Sequence, residues 1–166
     1  YGLPERSMYH VDVASNHIAH LTNAIVANIE DLPLPDNKFD LVICVGSVLN
    51  YCDPILVIKE FHRVLKTNGY LILEFENSYT FELLFKKEFN KNAVFMETFF
   101  DLEGEKENIW YFSEDFIKGL LRSYNYRILM KERIHILSPL FYRMTNNVSL
   151  SAKFSMLDSV ASFVPG

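Results

Sequence analysis

Phe39-Asp40-Leu41-Val42-Ile43-Cys44-Val45 is a nearly continuous apolar run, and Tyr70-Leu71-Ile72-Leu73-Glu74-Phe75 is another. Between them, residues 53–69 hold the clearest helix signal of the chain. Asp53 is a good N-cap, and Pro54 suits the first helical position, where a missing N–H costs nothing. Ile58, Phe61, Val64 and Leu65 repeat at helical spacing and form one apolar stripe. Lys66 suits the negative end of the helix dipole, and Asn68-Gly69 offers a left-handed stop. A strand, a helix and a strand in that order, with an uninterrupted apolar first strand, predict parallel pairing with both faces buried.

Working outward, Met8 to Val13 reads as a strand closing on Asp12, and Ser15 or Asn16 caps a short helix through about Leu21. Ala24-Ile25-Val26-Ala27 is a further short strand. The turn that follows, Glu30 to Asn37, is rich in acid and proline. Strand and helix alternating in this way predict an α/β fold with a doubly wound, mostly parallel sheet. Ligands of such sheets bind beyond the carboxyl ends of the strands. The positions of interest are therefore Asp12, Asn28, Gly46 to Tyr51, and Glu76 to Tyr79.

Half of the chain's aromatic residues fall between Phe75 and Phe116. This segment reads either as a lid insertion over residues 78–112 or as plain aromatic core filling. Ser113 caps a helix to about Ser123, Tyr126 to Leu137 is strand-like, and Leu150 to Phe163 is weakly amphipathic. The expectation is one domain over residues 1–166. The chain opens on Tyr1 and stops at Pro165-Gly166, so it reads as a piece of something longer.

Sixteen basic against twenty-one acidic side chains give a net charge of −5, which argues against a nucleic-acid partner. Cys44 and Cys52, with no secretory segment before them, point to a reducing cytoplasm rather than a disulfide scaffold. No apolar run is long enough to span a bilayer. His17 and His20 lie one helical turn apart, but without acid or cysteine at ligand spacing they predict no metal. Nothing electropositive flanks Cys52 in the sequence, so it is not expected to be a nucleophile.

The stretch Asn28-Ile29-Glu30-Asp31-Leu32-Pro33-Leu34-Pro35-Asp36-Asn37-Lys38-Phe39-Asp40 resembles a signature of class I S-adenosylmethionine-dependent methyltransferases of the small-molecule, type 11-like branch. Arg63-Val64-Leu65-Lys66-Thr67-Asn68-Gly69 is similar to a second motif of that family, with Thr67-Asn68-Gly69 where Pro-Gly-Gly is usual. The resemblance covers residues 8–77 and implies a Rossmann-like fold with S-adenosylmethionine as cofactor. It implies that Asp12 accepts from the ribose hydroxyls. Asn28, standing where the family usually has Asp, faces the adenine amine, and the Ile29 N–H meets a ring nitrogen. Val45 and Gly46 complete the implied cofactor set. The family's glycine-rich loop after its first strand is not found among the six glycines, and its last strand is not evident after Leu137. A domain truncated at both ends is expected, either part of a longer enzyme or inactive as it stands.

Methyl transfer from a sulfonium is an in-line displacement that needs positioning and a water-poor pocket. Ser47, Asn50, Tyr51, Glu76 and Asn77 are the candidates for holding a small-molecule acceptor. Asn50 and Tyr51 also suit plain capping, and Glu76 and Asn77 a solvated loop. No catalytic base is singled out. Two other functions remain open at this level. Asp12 at a strand tip suits the ribose of NAD in an oxidoreductase, and a domain without its glycine loop could act as a non-catalytic binding partner.

Overall fold

The computed structural model describes residues 7–80, 83–99 and 106–132, and its chain divides into two compact units, Tyr1–Phe75 and Glu76–Gly166. In the first unit, β1 (His10–Asp12) pairs in parallel with β2 (Ala24–Val26), His10 opposite Ala24 and Asp12 opposite Val26. The short helix α1 (Ser15–Ile18) makes the connection. Its N-cap is Ala14, which has no capping side chain; Asp12 Oδ1 instead accepts from the Ala14 N–H at 2.8 Å. That bond satisfies a donor that helix entry would otherwise orphan.

β3 (Phe39–Cys44) pairs in parallel with β4 (Leu65–Leu73), and α2 (Pro54–Val64) is the crossover. As its caps predict, α2 starts on Asp53, whose carboxylate accepts from Ile55 N at 2.8 Å, with Pro54 next. Val57, Ile58, Phe61 and Val64 are buried along one side. Each such side chain contributes about 1.5–3 kcal/mol.

The helix ends at Val64, well before the Asn68-Gly69 stop expected from sequence. Leu65 turns extended, its N–H still bonded to the Phe61 carbonyl, and pairs at once with Phe39. Lys66 consequently leaves the helix end, where His62 and Arg63 stand instead, and pairs with Asp40 across the strands. The left-handed residue is there, Asn68 at φ 64°, but it shapes a bulge within β4. Phe39 faces Leu65 and Leu41 faces Tyr70, so β4 spends extra residues against a short step of β3. At Gly69 a Cβ would lie 2.9 Å from the Lys66 carbonyl and 3.3 Å from that of Asp40. Backbone stands too near for a side chain there.

Among the described residues the β3–β4 pair is covered on one face only. Cys44 is buried, whereas Ile43 and its register partner Ile72 are 55% and 51% exposed. The continuous apolar run of β3 therefore reads as a double-sided strand in sequence but not within the described residues.

In the second unit, β5 (Ala93–Phe99) and β6 (Lys106–Phe112) form an antiparallel hairpin, with Phe95 opposite Trp110. Those two rings meet edge to face at 5.0 Å, a pairing that adds to their area burial. Leu83, Ile109 and Tyr111 form a core patched by Phe89, Val94 and Met96. Phe112 is fully buried while Phe85 is 97% exposed, so the aromatics of this segment are part core and part surface. α3 (Glu114–Ser123) begins on Ser113, whose hydroxyl accepts from Phe116 N at 3.1 Å. Residues 126–132 have no regular structure. The expected helix at Leu150 to Phe163, and the strand-like stretch beyond residue 132, lie outside the described residues.

Candidate active site

Parallel pairing aligns strand directions, so the carboxyl tips of β1 and β2 share one edge. Asp12 ends β1, and Asn28 follows β2 by two residues. The Ala27 N–H donates to the Asp12 carbonyl at 3.1 Å and carries the ladder to this edge. Asp12 is half-buried: Oδ1 takes the Ala14 amide, and Oδ2 lies 3.6 Å from His17 Nδ1. Asn28 Oδ1 accepts from Glu30 N at 3.0 Å, and its Nδ2 donates to Glu30 Oε2 at 3.3 Å. Ile29, beside it, is half-buried.

Beyond β3, Val45 is 47% exposed, Gly46 has φ 74° and Ser47 φ 60°. Left-handed backbone at a non-glycine residue is costly and tends to mark functional turns. The turn is tied down by Glu74, whose Oε2 accepts from Gly46 N at 3.1 Å. Asn50 is fully buried in the 3-10 turn Val48–Tyr51, whereas Tyr51 is exposed. Of the acceptor candidates in this unit, Ser47 and Tyr51 have some exposure and Asn50 has none.

Glu76 and Asn77 belong to the second unit. The Glu76 carbonyl accepts from Phe112 N at 3.2 Å, and Asn77 bridges to Phe112. Asn77 Oδ1 also accepts from Tyr79 N at 2.9 Å. Asn77 borders a polar cavity of about 350 Å³, together with Tyr79, Asn90, Glu114, Asp115, Lys118 and Lys131.

Burial alone would raise the Glu114 carboxyl, but the ammonium groups of Lys118 and Lys131 outweigh it and hold it down at about 2. A depressed folded value means stability that is full above the unfolded carboxyl range, near 4.5, and is lost as pH falls toward 2. Glu114→Gln is therefore expected to narrow the gap in Tm between pH 6 and pH 3 by about 2–4 °C. Thermal melts of both proteins at the two pH values measure it, and an unchanged gap would count against the two-lysine account.

Four contributors were missed in the sequence. Glu30 and Glu74 looked like loop and strand acids, yet each holds a turn at the strand tips. Glu60 and Arg63 clamp the acid- and proline-rich loop. Glu60 Oε2 accepts from Leu32 N at 2.9 Å, while Arg63 donates to Leu32 O, Leu34 O, Asp36 and both Glu60 oxygens. Their i, i+3 spacing on a helix was the available signal.

Cys44 is pushed up to about 11 by burial, then by Cys52 and Glu74. Cys52 reaches about 11 through burial and the Glu30 carboxylate. Both thiols stay protonated near neutrality, so neither is activated as a nucleophile.

Residues 4–73 match the family model described as a methyltransferase domain. An uncharacterized protein of Methanocaldococcus jannaschii is 37% identical over 87 residues, 49% of this chain and 37% of that protein. A demethylmenaquinone methyltransferase of Geobacillus stearothermophilus is 34% identical over 77 residues, 40% of this chain and 33% of that protein. The match thus spans about a third of these relatives' own length. Among solved structures, a SAM-dependent methyltransferase from Methanosarcina mazei superposes with a TM-score of 0.57 at 21% identity. That likeness covers 75% of this chain and 71% of the other, and it speaks for the fold. The parallel strand pairs and the likeness to that solved structure agree on a Rossmann-like fold, and residues 4–73 are similar to a methyltransferase domain.

Proposed function

We propose that this protein transfers a methyl group from S-adenosylmethionine to a small-molecule acceptor. The observation that carries the reading is the pairing of β1 with β2, which sets Asp12 and Asn28 on one sheet edge. A carboxylate suits a ribose diol because it offers two oxygens to two hydroxyl donors. An amide suits a purine edge because it both accepts and donates. The half-buried Ile29 and the Val45–Gly46 turn complete the proposed cofactor contacts, with the Ile29 N–H toward a ring nitrogen. These donor types fit the cofactor.

When bound, the cofactor supplies a methyl already electrophilic on sulfur. The chain's own task is then to hold the nucleoside, orient the acceptor and exclude water. Ser47 and Tyr51 are proposed to orient the acceptor, with Asn50 shaping the turn between them and Glu76 and Asn77 as further contacts. A role for 78–112 as a lid insertion setting acceptor specificity is supported by its aromatic hairpin. The demethylmenaquinone methyltransferase among the relatives supports an apolar or aromatic acceptor.

Among the described residues no helix is long and apolar enough to cross a membrane. The two unbridged cysteines support a reducing, cytoplasmic setting, and the net charge of −5 supports a partner other than nucleic acid. Calorimetric titration with S-adenosylmethionine, or with its demethylated product, tests the proposal. Saturable binding is expected, and no heat of binding at millimolar ligand would overturn it.

A further inference from the structure

A carboxylate looks the same when turned over, and an amide does not. Asn28 therefore raises a requirement that an aspartate at its position would not: the amide must face the purine the right way round. Held one way, it complements a 6-amino purine, which has a donor amine beside an acceptor ring nitrogen. Flipped, it complements a 6-oxo purine, which has an acceptor oxygen beside a ring N–H.

We propose that Glu30 is the positioning residue that fixes the Asn28 amide and thereby sets the preference for a 6-amino over a 6-oxo purine. The inference rests on the cofactor reading above and names what enforces it. Glu30 grips Asn28 at both ends. Its backbone N–H donates to Asn28 Oδ1 at 3.0 Å, and its Oε2 accepts from Asn28 Nδ2 at 3.3 Å. Turning the amide over would put its NH2 on that N–H and its carbonyl on that carboxylate, two repulsive contacts at once.

The grip is itself anchored. Glu30 Oε1 accepts from Asp53 N at 2.6 Å, which ties the carboxylate to the start of α2. Glu30 is half-buried, whereas Asn28 is exposed. Without this anchor a surface amide would sample both orientations, because rotating it about its last torsion is easy in water. Glu30 needs no contact with the cofactor to act in this way.

The decisive variant is Glu30→Gln, close to the same shape and therefore expected to fold. Glutamine has one carbonyl oxygen. If that oxygen keeps the short bond to Asp53 N, its NH2 meets the Asn28 NH2, and neither amide orientation is then satisfied. Binding of S-adenosylhomocysteine and of its 6-oxo counterpart, S-inosylhomocysteine, is to be measured by calorimetry on the full chain, with a thermal melt to confirm folding. The wild type is expected to favour the amino ligand by tenfold or more, and Glu30→Gln to cut that ratio at least threefold. Equal weakening of both ligands would reduce Glu30 to a structural role and overturn the proposal, as would an unchanged ratio. A wild type that binds both ligands equally would overturn it while sparing the cofactor reading. A wild type that binds neither would sink both.

Discussion

Asp12→Ala is expected to weaken binding of S-adenosylhomocysteine by ten- to a hundredfold, measured by isothermal titration calorimetry. In the proposed site this carboxylate receives the ribose hydroxyls, and hydrogen bonds to a charged acceptor are worth about 1.5–3 kcal/mol, which converts to that range of affinity. Part of the loss would come through the protein itself. Asp12 Oδ1 takes the Ala14 amide at 2.8 Å, so alanine also releases the entry to α1. Asp12→Asn separates the two contributions. It keeps an acceptor for the Ala14 amide but gives up the charge, and it should fall between wild type and alanine. His17, 3.6 Å from Oδ2 and mostly exposed, adds little by its charge. An affinity unmoved by Asp12→Ala would remove the ribose role and with it the proposed seat of the cofactor.

Arg63→Ala should cost the first unit roughly 2–3 kcal/mol, seen as a Tm about 5–10 °C lower in a thermal melt. The guanidinium reaches Leu32 O at 2.8 Å and Leu34 O at 2.6 Å, and meets Asp36 and Glu60 besides. Removing it strands the Leu34 carbonyl, leaves the Leu32 carbonyl with the Leu34 N–H alone, and leaves the nearly buried Glu60 carboxylate holding only the Leu32 amide. Arg63→Lys should rescue little, since one ammonium cannot span the fork that these partners occupy.

The pH dependence follows from the same contacts. Arg63 holds the Glu60 carboxyl below the usual range against the opposing effect of burial, and the Leu32 amide adds to it. Its contribution is therefore complete above the unfolded carboxyl value and disappears as acid protonates the folded group. In Arg63→Ala that acid sensitivity should shrink. A variant melting within a degree or two of wild type would show that the loop is held mainly by its prolines and by buried Leu32.

Much of the first unit was legible residue by residue, as was the start of α3 in the second. Asp53-Pro54 announced α2, the apolar stripe announced its buried side, and Ser113 announced α3. Motifs carried the rest of the reading, because an acid at a strand tip and an amide two residues past the next strand are positions, and positions follow from spacing. The stop of α2 was misjudged for a reason that local chemistry cannot show. Asn68 and Gly69 do adopt and tolerate the turn expected of them, but Leu65 had already been claimed by Phe39 across the sheet.

The amino-acid order by itself determined the strands and helices of the first unit and the start of α3, which family the first half resembles, and which two polar side chains stand at neighbouring strand tips. Those outcomes depend on neighbours a few residues away. Only the tertiary structure decided that Glu30, Glu60, Arg63 and Glu74 hold the turns, because each acts on backbone amides or carbonyls of another segment. Such bonds leave no periodicity to read: Glu60 meets Leu32 across 28 residues, and Glu74 meets Gly46 across another 28. The backbone atoms they satisfy are the same in every sequence, so only the fold determines which of them come within reach.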